Sequence, residues 1–240
     1  MNKAVHQLSA SMINQFNRID KISHNLANVN TTAYKQEGVA EGTFNNYLQE
    51  AAKKGFKPTA IDSITNTMPK INDNYIDEST GAIISTGNNL DFALKNKDTF
   101  FKLRDDQGDI VYTRDGTFHN LDGVLVSKNG YEVLNTDNEA ILLEDNDTIA
   151  LELGIVKSPM TNLEKLGDNN YIAKDELLVD TLFVNEGFVI QGALEKSNVN
   201  GVTSMIALID AHRRMGQAQK VIEGISQLGE SLVDKVGRPT

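Results

Sequence analysis

Apolar residues in the first thirty-five positions recur near heptad spacing: Val5, Leu8, Met12, Ile19, Ile22 and Leu26 share one stripe, with Phe16 beside it and Asn, Lys, Arg, His and Asp on the other faces. A repeat close to 3.5 residues keeps a narrow seam on one side of a helix, the spacing of a coiled coil. The last forty residues repeat the pattern. Val202, Met205, Ile209 and His212 open a seam that shifts phase and resumes as Met215, Ala218, Ile222, Ile225, Gly229, Leu232 and Val236, widened by Val221 and Leu228. Isolated helices of this kind are marginal in water, because nucleation is costly and stability comes from covering the apolar face. Both ends therefore need helical partners.

Between them the period changes from helix to strand. Ile110 to Arg114, Thr117 to Leu121, Val124 to Ser127 and Tyr131 to Leu134 are separated by Asp115-Gly116, Asp122-Gly123 and Asn129-Gly130. Such dipeptides supply the positive φ of tight hairpins, so the run predicts an antiparallel meander. Further strands are expected at Ala82–Ser85, Phe100–Leu103, Ala140–Leu143, Thr148–Val156, Asn170–Ala173 and Phe188–Gln191, and a short helix at Phe44–Lys54. The fold class is α+β: terminal helices pairing as a coiled-coil layer around a mainly antiparallel all-β domain. In domain terms, 1–35 joins 197–240, 36–81 links, and 82–196 forms the β-rich part.

Composition narrows the function. The 240 residues hold no cysteine, which removes disulfides and thiolate metal sites. A formal charge of -10 disfavours non-specific nucleic-acid or anionic-membrane binding. No apolar run approaches a membrane span of about 20 residues, and polar residues break up the opening segment where a cleaved signal peptide would need an apolar stretch. His6, His24, His119 and His212 are scattered, without metal-ligand spacing. No phosphate-cradling loop or nucleophile elbow is present. The acidic run Asp105 to Asp109 has part of the oxygen-rich look of a calcium loop but lacks the twelfth-position Glu, so a hairpin turn is the better reading. The sequence thus offers no catalytic residues, no cofactor, no metal and no small-molecule substrate.

Three short segments carry a resemblance. Leu26-Ala27-Asn28-Val29-Asn30-Thr31-Thr32-Ala33-Tyr34-Lys35 is similar to the Asn- and Thr-containing signature that ends the first helix of flagellar axial proteins, the rod and hook components of the bacterial flagellum. Thr86 to Leu94, Phe100 to Leu103, Tyr112 to Phe118 and Gly123 to Val126 resemble the family's central hairpin block, in the same order. Leu194-Glu195-Lys196-Ser197-Asn198-Val199-Asn200, leading to Met205-Ile206 and Arg213, resembles the approach to its closing helix. Ala33 stands where the family usually has Gly, and Asn89 where it often has Pro.

This resemblance implies a structural subunit that polymerises into a helical tube with an inner helical layer and an outer β-rich layer. Its partners would be copies of itself, other rod proteins and the flagellar type III export apparatus, and its place the periplasmic rod of the basal body. The segment 36–68 lacks the insertion associated with the distal rod, which favours a proximal-rod member; a distal-rod subunit, or a non-enzymatic β-domain binding module, is the alternative. Asn28, Thr31, Tyr34 and Lys35 at the end of the first helix, and Ser197 and Asn198 before the last, join the seam residues as candidate assembly positions. Ser197, Asn198 and Asn200 also offer capping oxygens, each worth about 1 kcal/mol.

Overall fold

A computed structural model describes residues 2–43, 69–143, 152–167, 169–182 and 187–236, with side chains for 8–39, 75–143, 152–167, 169–182 and 187–228. The expected helix at Phe44–Lys54 and residues 148–151 of the expected strand at Thr148–Val156 lie outside them; of the rest of that strand only Ile155 and Val156 are extended in a sheet. Two compact units emerge: Met1–Ala27 with Glu37–Tyr75 and Asn200–Thr240, and Asn28–Gln36 with Ile76–Val199.

The helical unit contains α1 (Asn2–Ala27) and α2 (Gly201–Val236), which pack against each other, and a two-stranded ribbon of β1 (Glu37–Thr43) and β2 (Pro69–Ile76). α1 stops just before Asn28, where the Asn-rich segment turns the chain: Thr31 N–H donates to the Asn28 carbonyl at 3.1 Å. The ribbon is tied to α1 by Asn25, whose side chain accepts from Glu37 N–H at 2.9 Å and donates to the Glu37 carbonyl at 2.7 Å. Lys21 Nζ adds an ion pair to the Glu37 carboxylate at 2.8 Å. At the head of α2, Asn200 Oδ1 accepts from Thr203 N–H at 3.1 Å, which makes Asn200 the cap.

Among the described residues, the β-unit is built around a nine-stranded antiparallel sheet. Its centre is β5 (Thr99–Arg104), which pairs with β6 (Ile110–Thr113) along one edge and with β9 (Glu132–Val133) and β10 (Ile155–Lys157) along the other. β7 (Phe118–Leu121) and β8 (Val124–Ser127) continue past β9. β12 (Asn170–Ala173) and β11 (Leu163–Gly167) continue past β6, and β13 (Asp180–Leu182) flanks β10. Alternation on β5 explains its burial on both faces. Phe101 and Leu103 join Phe92, Val111, Phe118, Leu125 and Val133 in one core, while Phe100 joins Tyr112, Val156, Met160 and Tyr171 in the other. Two short pairs complete the unit: β4 (Phe92–Leu94) with β14 (Val189–Gln191), and β3 (Ile83–Ser85) with β15 (Ala193–Glu195).

Only two of the three expected Gly turns are hairpins. Asp122 and Gly123, with φ of 52° and 87°, join β7 to β8 in register Leu121↔Val124. Gly130, at φ 86°, turns β8 into β9, with its N–H donating to the Ser127 carbonyl at 2.9 Å. At Asp115-Gly116 the meander breaks, since β6 pairs with β5 and β12 whereas β7 pairs with β8. Glycine serves closeness here rather than positive φ: the Gly116 carbonyl accepts from Phe92 N–H at 3.0 Å, and a Cβ at 116 would lie 1.8 Å from the Phe92 oxygen. The expected strand at Ala140–Leu143 is reduced to isolated bridges, Leu134↔Ala140 and Val124↔Leu142. The acidic run 105–109 forms the β5–β6 turn, with Asp105 Oδ1 accepting from Gln107 and Asp109 N–H, both at 2.9 Å.

Candidate assembly interface

The helical faces come first. On α1, Leu8, Met12, Ile19, Ile22 and Leu26 are all half-buried, and Gln15 completes their alternation of four- and three-residue steps. Gln15 Oε1 is buried with no hydrogen-bond partner among the described residues. A polar group at such a position is the kind that fixes register at a cost in stability. On α2 the same alternation runs without a phase shift through Ser204, Leu208, Ala211, Met215, Ala218, Ile222 and Ile225, each buried or half-buried.

This register differs from the one expected over the first turns of α2. Val202, Met205 and Ile209 are not on the covered face: with Ile206 they form a separate stripe, 71%, 53%, 69% and 64% exposed in the order Val202, Met205, Ile209, Ile206. Their spacing of three, four and seven residues puts them on one side of the helix. Small Ser204 and Ala211 hold the covered positions, Ala211 at only 2% exposure. Ile13 and Phe16 make a smaller exposed pair on α1. The side chains of Val5 and Leu232 lie outside the described set.

The remaining expected positions meet in the β-unit, at a site no single segment announces. Lys35 is fully buried and its Nζ donates to Glu195 Oε1 at 2.8 Å and to the Ser79 carbonyl at 2.7 Å. Arg114, equally buried, donates from Nε and Nη2 to Glu195 Oε2 at 3.0 and 2.7 Å. Its Nη1 is shared among the carbonyls of Asn96, Lys97 and Thr99 at 2.7 to 3.0 Å. Gly81 N–H completes the carboxylate's shell at 2.8 Å on Oε1. Burial pushes the Glu195 carboxyl up, but Arg114, Lys35 and the Gly81 N–H together outweigh it and hold the group below the ordinary carboxylate range. Burial, then the neighbouring Arg114 charge, push Lys35 down against the pull of Glu195.

Backbone bonds close the clasp. Ala33 N–H donates to the Glu195 carbonyl at 2.8 Å and Asn198 N–H to the Tyr34 carbonyl at 3.2 Å. The Asn198 side chain accepts from Gln36 N–H at 2.7 Å and donates to the carbonyls of Asp77 and Ser79 at 3.0 and 3.1 Å. Tyr34 is buried under Lys165, whose Nζ sits 4.3 Å from the ring centroid. Asn28 and Thr31 hydrogen-bond each other through their side chains at 3.1 Å, and Ser197 Oγ accepts from Val199 N–H at 3.2 Å. These contacts explain why Asn28–Gln36 belongs with the β-unit rather than with the helix it follows.

Glu195 and Arg114 were inside segments the sequence singled out, yet neither had an assigned role. A charged residue beside strand-forming neighbours, Leu194-Glu195 and Thr113-Arg114, was the available signal. In chemical terms the arrangement is a buried ion triad, one carboxylate held between two cations. No group of His and carboxylates among the described residues could hold a metal, and no described helix is long and apolar enough to cross a membrane.

Comparison with known proteins falls on the same segments. The family description "Flagellar hook protein FlgE/F/G D1 domain" matches residues 96–157, which include Arg114. "Flagellar basal body rod FlgEFG protein C-terminal" matches 190–234, which include Glu195, Asn198 and most of α2. The chain is 31% identical to the flagellar basal-body rod protein FlgF of Rhizobium meliloti over 80% of both chains. FlgF of Caulobacter vibrioides is 28% identical over 92% of both. FlgG of Agrobacterium fabrum is 28% identical over 97% of this chain and 98% of its own. With both ends and the centre matched, the chain belongs to the FlgE/F/G family of flagellar hook and basal-body rod proteins, as a non-enzymatic structural subunit of the rod.

Proposed function

We propose that this chain is a proximal-rod subunit whose terminal helices form a coiled-coil inner layer, with Val202, Met205, Ile206 and Ile209 docking on neighbouring subunits. The exposed stripe carries this reading. Four large apolar side chains in one line on a water-facing helix would each gain about 1 to 2 kcal/mol on burial, and α1 already covers a different face of α2. In a helical tube each contact is heterologous, so every subunit offers a surface that a neighbour fills. Ile13 and Phe16, exposed on α1, are the natural complement.

The proximal position rests on the similarity to FlgF and on the short 36–68 segment; identity to FlgG relatives is close behind. Export through the flagellar apparatus without a cleaved signal, and residence in the periplasmic part of the basal body, follow from this assignment as parts of the same proposal. Asn28, Thr31, Tyr34, Lys35, Ser197 and Asn198 serve assembly indirectly, by fixing the chain at the roots of both helices.

The test is a V202D/I209D variant produced in cells lacking the native protein. It should stay folded, with unchanged helix content, and fail to appear in isolated basal bodies. Basal bodies that incorporate it at the normal level would refute the stripe as an assembly surface. The proximal assignment is tested separately by position in a density map of the assembled rod.

A further inference from the structure

The three charges of the clasp come from opposite ends of the β-unit's chain: Lys35 from its first segment, Arg114 from its middle and Glu195 from its last strand. Each side chain is only 1% exposed. Among the described residues, the other hydrogen-bond partners of the two cations are neutral, namely the Ser79, Asn96, Lys97 and Thr99 carbonyls, and Asp77 acts on Lys35 from a distance. Without Glu195 the β-unit would have to bury two cations beside each other with no anion in contact, a state with a large desolvation cost and no return. The core strands β5 to β9 lie wholly between residues 99 and 133, so their own pairing does not supply the missing charge.

We propose that Glu195 gates closure of the β-unit: the central sheet does not reach its protected, cooperative state until the final strand β15 brings this carboxylate between Lys35 and Arg114. Folding of the first two-thirds of the chain is thereby made conditional on its last quarter. Strand β15 is the right carrier, since it is pinned by β3 in register Leu194↔Ile84 and its residue 195 carbonyl simultaneously receives Ala33 N–H. One contact thus joins the body's beginning and end at the moment the charge is delivered.

Hydrogen exchange on the full-length chain tests the gate. In E195Q, which preserves shape but removes the charge and replaces one acceptor oxygen by a donor amide, amide protection in β5, β6 and β8 should fall by about a hundredfold or more, the ratio that corresponds to an uncompensated buried partner. The second variant is K35M/E195Q, which returns the buried set to the native excess of one positive charge. Its protection should recover to within about tenfold of the unaltered chain. Retained protection in E195Q would overturn the proposal, because the carboxylate would then be a local pair. Loss in E195Q without recovery in K35M/E195Q would also overturn it, because the requirement would be for the carboxylate's hydrogen bonds and not for charge balance.

Discussion

Arg114 grips Glu195 through Nε and Nη2 on a single carboxylate oxygen, across 81 positions of sequence, and so leaves the other oxygen to Lys35 and Gly81. That division gives the carboxylate a partner from each of three segments. It also makes the clasp sensitive to proton concentration on both sides of neutrality.

On the acid side the sign follows from Glu195. Its folded value lies below the ordinary 4.5, so the unfolded chain takes up the proton first. Stability from this group is fully present above 4.5 and is lost as pH falls through the folded value. On the alkaline side Lys35 is pushed below its ordinary 10.5, so the unfolded chain holds the extra proton there and stability rises as pH climbs from the folded value to 10.5. Urea midpoints followed by tyrosine emission should show both limbs, and K35M/E195Q should flatten both.

Two glycines that look alike in sequence should respond in opposite degree. G123A asks a Cβ to sit at positive φ in open space and should cost about 1 kcal/mol. G116A has ordinary φ but drives a methyl into the Phe92 carbonyl and should cost about 3 kcal/mol, at the upper end of overpacking. Chemical denaturation of the two variants gives the comparison directly.

On α2, position decides what a carboxylate does. A211D places a charge on the covered seam, where exposure is 2%, and should lower helix content and separate α1 from α2 in the free protein. I209D, on the exposed stripe, should leave circular dichroism and the melting temperature unchanged. Equal losses in both would show that the two faces are not distinct.

Asn198 and Asn200 are two residues apart but anchor different things. N200A removes a helix cap and should cost about 1 kcal/mol, confined to the first turns of α2. N198A removes bonds to Gln36, Asp77 and Ser79 together, and strips the half-buried Gln36 N–H and Asp77 carbonyl of this partner. It should cost about 2 to 3 kcal/mol and loosen 33–36 and 77–81 in hydrogen exchange.

Much of this was legible before the structure. The Asn28-Val29-Asn30 stop, Asn200 as a capping candidate, and the Asp122-Gly123 and Asn129-Gly130 turns follow from local backbone chemistry, and local chemistry is what a sequence displays. On α2 apolar bulk does not reveal which stripe faces α1: Val202, Met205 and Ile209 outweigh Ser204 and Ala211 in hydrophobicity, yet close helix packing favours the small residues and leaves the larger ones exposed. Asp115-Gly116 looks like a hairpin because the dipeptide does not reveal whether glycine is needed for its φ or for its missing side chain. Lys35, Arg114 and Glu195 were opaque for a further reason. A charged residue announces burial only through its partners, and these are 81 and 160 positions from Glu195.

Because Ala33 bonds to Glu195 and Tyr34 to Asn198, the β-unit begins and ends at one spot, like a loop hung from a single knot. Loop length added or removed between residues 37 and 194 without displacing Ser79, Gly81, Arg114 or the carbonyls of 96–99 leaves that spot unchanged. Members of a family built on such subunits can differ in the size of this β-unit while the joint between residues 33–34 and 195–198 stays the same.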